Sequence, residues 1–331
     1  MPRGLRRAAV CLIAVGATWS LTLGGTVSAY TGSVSTASNT FAGAPDWTAP
    51  TVASAVVGRS SAYDTGLIAQ GASYYVYANV GDTGNPASGI ASVTANVASI
   101  TSGSTAVALT AGSFSGGGTA YGYRSAALTA AASLSAGSHS YTITSTDSGA
   151  NAGTQSFNAT VDNTAPSAVD VQSANVSGGT VGQLELGDTL ILTTSEAMDP
   201  YSILPGWNGA STNVQVRMTD AGGQTSDYLT FYNNNATPTQ IPLGTVQLGS
   251  PGYAKMGLGN YVTFGVTGTP TTMTRSGSTI TIVLGTLTGN PSTNTALAAM
   301  TWTPSTSATD IAGNADTATV ATQSGTAHNN F

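Results

Sequence analysis

Acids and amides carry the clearest chemical potential in this 331-residue chain. Asp147 and Asn151 bracket one Gly-containing turn, Asp162-Asn163 ends the next alternating run, and Asp82 lies in another Gly-rich break. Oxygen ligands of this kind suit calcium, a hard cation that takes roughly six to eight of them. No closely spaced Asp-x-Asp run accompanies them, and Asp and Asn also form tight turns by bonding their own backbone. The turn reading is the ordinary one, so no metal or cofactor ligand is assigned and calcium stands as the alternative. Glycoside hydrolysis needs only a pair of carboxylates, for which Glu185, Glu196 and Asp199 are the candidates. Glu196 and Asp199 flank Met198 at a strand-to-turn corner, where a turn-forming acid is again the ordinary reading. A Ser-His-Asp arrangement or a zinc site needs histidines within reach of their partners, but the two in the chain, His139 and His328, lie far apart and no Gly-x-Ser-x-Gly elbow is present. No catalytic residue is assigned, and the chain is read as a non-enzyme.

Aromatic side chains could bind sugars by stacking. Tyr74, Tyr75 and Tyr77 share one strand and Tyr121 and Tyr123 another, but alternate residues face opposite ways and cannot all form one platform. Trp207, in the Pro205-Gly206-Trp207-Asn208-Gly209 loop, would be a contact residue if exposed; packing over the end of a sheet is the competing reading.

The elements that must position these groups are strands. With 41 Gly, abundant Ser and Thr and only 7% charged residues, the chain disfavours long helices and suits strands joined by tight turns. Alternation runs through Ser73 to Val80, through Val93, Ala95 and Val97, through Tyr141 and Ile143, and through Phe157, Ala159 and Val161. Further on, the strand candidates are Leu184 to Thr194, Asn213 to Thr219, Tyr228 to Tyr232, Tyr261 to Thr267 and Ser278 to Leu287. In the second of these, Val214, Val216 and Met218 face one way and Asn213, Gln215 and Arg217 the other. Loops are expected at Pro200 to Ser211 and Asn233 to Gly259, and Ala126 to Leu134 allows a turn or two of helix. Val161-Asp162-Asn163-Thr164-Ala165-Pro166 ends one alternating run and starts another, because proline holds the preceding residue extended. Asp46-Trp47-Thr48-Ala49-Pro50 echoes it about one β-sandwich domain earlier. The division expected is a signal peptide over 1–29, a linking segment over 30–49, a first domain over 50–164, an enlarged second domain over 165–325 and a tail over 326–331.

The signal peptide is read from Arg3, Arg6 and Arg7, the apolar run from Ala8 to Gly25, and the small residues Val27-Ser28-Ala29. Cleavage would remove the single cysteine, Cys11, so no disulfide or thiolate metal site is expected. It would leave Arg59, Arg124, Arg217, Lys255 and Arg275 against fourteen acids, a balance that repels nucleic acid and anionic lipid. No membrane span is expected in the mature chain.

Asn39-Thr40-Phe41-Ala42-Gly43, after a Ser/Thr-rich stretch, resembles the N-terminal segment of SipW-dependent exported proteins, the group of camelysin and TasA-like matrix proteins. Gly187-Asp188-Thr189-Leu190-Ile191-Leu192-Thr193-Thr194-Ser195-Glu196-Ala197-Met198-Asp199-Pro200 resembles the opening of SbsA-type immunoglobulin-like domains. Asp147 to Asn151 and Asp310 to Asn314, each before a last strand, resemble the ends of bacterial immunoglobulin-like repeats. The resemblance implies an all-β chain of two tandem immunoglobulin-like antiparallel β-sandwiches. It also implies a secreted or cell-surface structural or adhesive module of the Gram-positive envelope or matrix. Its partners would be an envelope polymer, a glycan, another surface protein or further copies of the chain. A carbohydrate-binding module and a self-assembling fibre subunit are the alternatives. Gram-positive surface domains also form Lys–Asn isopeptide bonds beside a buried acid, for which Lys255 would be the lysine. No wall-sorting signal is read at the C-terminus, which predicts non-covalent retention or release.

Overall fold

A computed structural model of the chain describes residues 46–59, 63–289, 292–326 and 331. The expected signal peptide, nearly all of the 30–49 segment and most of the tail, His328 included, lie outside these residues.

Nine strands form the first sheet: β1 (Thr51–Arg59), β2 (Leu67–Ile68), β3 (Ser73–Gly81), β4 (Ile90–Asn96), β5 (Val107–Gly116), β6 (Thr119–Ser125), β7 (Leu128–Thr129), β8 (Gly137–Asp147) and β9 (Ala152–Val161). Their order is β1-β3-β6-β5-β4-β8-β9-β2, with β7 beside β3. The sheet curls until β1 returns against β8 and β9, giving a nearly barrel-shaped outline. One core fills it. Tyr74, Val76 and Ala78 of β3, Val93 and Ala95 of β4, and Tyr141 and Ile143 of β8 all point inward and are buried. Strict alternation along each strand causes this, since successive side chains leave opposite faces.

The change of sheet falls between Val161 and Ala168. The second sheet holds β10 (Ala168–Ala174), β11 (Thr189–Thr194), β12 (Thr212–Thr219), β13 (Tyr228–Asn233), β14 (Gln240–Gln247), β15 (Tyr261–Phe264), β16 (Thr271–Ser276), β17 (Thr279–Val283), β18 (Leu287–Thr288), β19 (Thr301–Thr303) and β20 (Ala321–Thr322). Its order is β10-β11-β17-β16-β12-β13-β14-β19-β20, with β15 joining β12 to β18, and β10 curls back against β19 and β20. A separate core gathers Leu190, Leu192, Val214, Val216, Met218, Phe231 and Trp302. A single helical turn, α1 (Pro200–Ile203), interrupts the strands, and among the described residues no helix is long and apolar enough to cross a membrane.

The all-β class and the inward faces of β3, β4, β8 and β12 agree with the alternation. Other details differ. The loop expected over Asn233 to Gly259 contains β14, whose Ile241, Leu243 and Val246 are buried although Pro242 and Gly244 break the pattern. Ala126 to Leu134 is not helical: Leu128 and Thr129 pair with β3, because Tyr74 offers a free edge that a short Ala-rich helix could not compete with. The Gly-rich stretch from Gly112 to Gly118 ends β5 and turns into β6 as a hairpin, with Gly117 and Gly118 at positive φ in its turn.

Candidate functional site

Two groups of carboxylates stand out, and they are built alike. In the first, Asp46 precedes β1, Asp82 follows β3 and Asp147 ends β8, with one oxygen of each within 4.8 Å of the others. Asp147 accepts from the Asn151 backbone N–H at 2.8 Å and from its Nδ2 at 2.9 Å, and that same Nδ2 donates to the Asp46 carbonyl at 2.9 Å. Asp46 also accepts from the N–H groups of Thr48 and Ser88, each at 2.9 Å. Asp82 accepts from Gly84 and Gly89 at 3.1 and 2.7 Å. The backbone N–H of Thr48, then that of Ser88, holds the Asp46 carboxyl below its usual range.

The second group repeats the first with other residues. Asp162 precedes β10, Glu196 follows β11 and Asp310 opens the Asp310 to Asn314 turn, again with oxygens within 4.8 Å of one another. Asn314 donates from its N–H and Nδ2 to Asp310, both at 2.8 Å, and from Nδ2 to the Asp162 carbonyl at 2.9 Å. Thr164 donates to Asp162 at 2.9 Å, as Thr48 does to Asp46.

Electrostatically the two are unlike. Burial, then the charges of Asp310 and Asp162, pushes Glu196 up to about 7, and its Oε1 is buried without a hydrogen-bond partner. Burial also raises Asp310. A fourth acid adjoins them: Asp316, 3% exposed, bears on Glu196 by its charge. Neither of its carboxylate oxygens has a hydrogen-bond partner, and the next N–H, that of Thr317, is given to the Pro166 carbonyl at 2.9 Å. Burial pushes Asp316 up to about 7 as well. One oxygen from each of Asp162, Glu196 and Asp310 lies no more than 4.8 Å from the others, a grouping of hard oxygen ligands of the kind calcium takes.

Beside this cluster the two halves of the chain lock together. The β1 guanidinium of Arg59 reaches Asp199 at 3.4 Å, Thr309 Oγ1 at 3.3 Å and the Asp310 carbonyl at 3.2 Å. Arg275 bonds Asp64 at 3.0 Å and the Met198 carbonyl at 2.9 Å, while the Ala69 N–H donates to Ala312 at 2.8 Å. Gly313 is needed here: its φ is +107°, and a Cβ would lie 2.6 Å from Arg59 Nε.

The structure redistributes the residues singled out from the sequence. Asp147, Asn151 and Asp82 meet, but at the far end of the first sheet and with Asp46, while Asp162 belongs to the other group. Asn163 joins neither: it accepts from Gln70 and donates to the Leu134 carbonyl. The supposed pair Glu196 and Asp199 separates, with Asp199 fully buried, capping α1 through the Tyr201 N–H and facing Arg59. Glu185 closes a turn by accepting from Thr180 at 2.8 Å. His139 sets both ring nitrogens against backbone carbonyls, of Ser99 and Ser135. Trp207 is not a contact residue: it is 4% exposed, and its Nε1 donates to Ala210. Lys255 is exposed, whereas an isopeptide bond needs a lysine buried against an acid. Asp46, Asp310, Asn314 and Asp316 were missed as a site, although the echo of Asp-x-Thr-Ala-Pro and of Asp…Asn carried the signal.

No family model matches the chain, and no curated protein matches it closely. Among solved structures it is similar to dimeric latent PorU from Porphyromonas gingivalis, at 16% identity over 72% of this chain and 20% of that one. The chain thus spans about a fifth of that protein's length, and the TM-score of 0.22 carries no argument about fold or function.

Proposed function

We propose that this chain is a non-catalytic structural or adhesive module of the bacterial envelope or extracellular matrix. In this reading it is exported by a cleaved signal peptide, and two tandem immunoglobulin-like domains, over 50–164 and 165–325, form a stiff spacer. The nine strands of the first half support the finer fold reading. Only Thr94–Ala108 and Ala95–Val107 link β4 to β5, so β1, β3, β6 and β5 on one side face β4, β8 and β9 on the other across one core.

One observation carries the function. At the junction, Asp162 from the first half meets Glu196 and Asp310 from the second, with Glu196 Oε1 and both oxygens of Asp316 lacking partners. Clustered buried carboxylates repel one another unless a proton or a cation joins them. Asp162, Glu196 and Asp310 would hold calcium, and the bound ion would supply the positive charge that fixes the two halves end to end. Thermal unfolding in millimolar calcium against EDTA tests this. The expected outcome is a melting temperature several degrees higher in calcium, with much less effect from magnesium; identical curves would remove calcium from the reading. Cell fractionation followed by sizing of the exported chain tests the placement: envelope-bound material or large assemblies support it, and a free monomer in the medium opposes it.

A further inference from the structure

The outer face of the second sheet carries a cleft of about 460 Å³ with an arginine at its floor. Register puts it there. Val214, Val216 and Met218 of β12 point into the core, so Gln215 and Arg217 point out. Across the strand pairs, Gln215 faces Tyr232 of β13, and Arg217 faces Thr263 of β15, with Tyr261 two residues along. The Arg217 guanidinium therefore lies over both tyrosines, its central carbon 3.9 Å from the Tyr232 ring centre and 4.6 Å from that of Tyr261. Such contacts hold the cation in place.

Its Nε donor is unused. Arg59 and Arg275 face carboxylates, but among the described residues Arg217 has no ion pair, and its buried Nε has no hydrogen-bond partner. Around it stand the exposed amides of Asn234 and Asn235, with the buried Gln215 donating from Nε2 to Asn234 Oδ1 at 3.4 Å, and Tyr261 is half exposed. The loop bearing the two asparagines is tied at its neck, where Asn233 accepts from the Thr239 N–H at 3.0 Å and donates to its hydroxyl at 2.6 Å. The cleft therefore offers a fixed guanidinium edge, planar amides that suit hydroxyl groups, and a ring face that suits the apolar side of a pyranose.

We infer that this cleft binds a carboxylate-bearing saccharide, a uronic acid unit within a polysaccharide, with the carboxylate on Arg217. A guanidinium edge matches the two oxygens of a carboxylate. A single cation in a chain of net charge −6 favours a monoanion over a more highly charged group. The cleft shares no residue with the acidic clusters, and the inference does not depend on calcium.

Tetragalacturonate, titrated calorimetrically into the full chain in EDTA, is the test. Binding is expected, weakened about tenfold or more by methyl esterification of the sugar and by Arg217→Gln, since a hydrogen bond to a charged group is lost. Arg217→Lys keeps the charge without the fork and is expected to fall between, and Tyr261→Ala to weaken binding with an unchanged melting temperature. Absence of binding at 10 mM sugar, equal affinity for the ester, or wild-type affinity in a folded Arg217→Gln variant would each overturn the assignment. EDTA also separates this outcome from failure of the calcium reading.

Discussion

The two carboxylate clusters share a skeleton and differ in how their charge is met. Each joins an entry Asp, an acid at the end of a strand and an Asp…Asn turn, with Asn bridging both flanking acids. In the first, backbone N–H groups serve the acids: Thr48 and Ser88 on Asp46, Gly84 and Gly89 on Asp82. In the second, Glu196 replaces Asp82, and the longer side chain places Oε1 where no N–H reaches it. Asp316 adds a fourth acid there, buried like Asp310, whereas Asp162 and Glu196 are half-buried. The shared motif therefore leaves the two sets of oxygens differently served: backbone N–H groups donate to the acids of the first, while Glu196 Oε1 in the second has no donor.

The comparison can be broken most sharply at the Asp of each turn. Asp310→Ala and Asp147→Ala should each cost about 2 kcal/mol in denaturant unfolding, because each removes the acceptor of two half-buried Asn donors. Only the Asp310 change should also abolish the calcium response. Next in size, Arg59→Ala leaves Asp199 buried without its counter-charge, an expected loss of about 2 to 3 kcal/mol. Scattering should show the halves loosened; an unchanged profile would deny the lock.

A smaller effect follows from pH. Glu196 is held at about 7 against an ordinary 4.5, and Asp316 at about 7 against 3.8, so the folded chain binds more protons than the unfolded one in between. Metal-free stability should then fall as pH rises from about 5 to 7. Melting in EDTA should be several degrees higher at pH 5 than at pH 7.5, with calcium reducing the difference and Glu196→Gln removing the part that Asp316 does not supply. A first-cluster change, Asp82→Asn, should leave that pH profile intact.

The smallest effect concerns the residue before each Asn. Ala150 sits at φ 66° where the second turn has Gly313. Ala150→Gly should stabilise the chain by up to about 1 kcal/mol by relieving the left-handed strain, whereas Gly313→Ala should destabilise it. Equal responses would mean the turns are not equivalent.

Alternation made much of this architecture legible before any coordinates. Tyr74, Val76, Val93, Ile143, Val214 and Val216 declare their inward faces through period two, because a strand sends successive side chains to opposite sides. The turn residues of Asp147 to Asn151 and Asp310 to Asn314 were equally plain, since Asp and Asn bond their own backbone. β14 was hidden because Pro242 and Gly244 fall on its outward positions and imitate a loop. The acids were visible but wrongly grouped, with Asp147 and Asp162 placed together because they are near in sequence.

By itself, the sequence determined the all-β class, the strands with clean alternation and the repeated Asp…Asn turns, all of which depend on neighbours within a few residues. Tertiary structure alone decided that Asp162 joins Glu196 and Asp310, that Asp199 turns instead to Arg59, that Trp207 is buried, and that Arg217 rests between Tyr232 and Tyr261. Each depends on strand register and on how each curled sheet closes, which bring together residues as far apart as Arg59 and Asp310. A carboxylate's charge state depends in turn on the burial and neighbours that closure creates, and no local pattern records these.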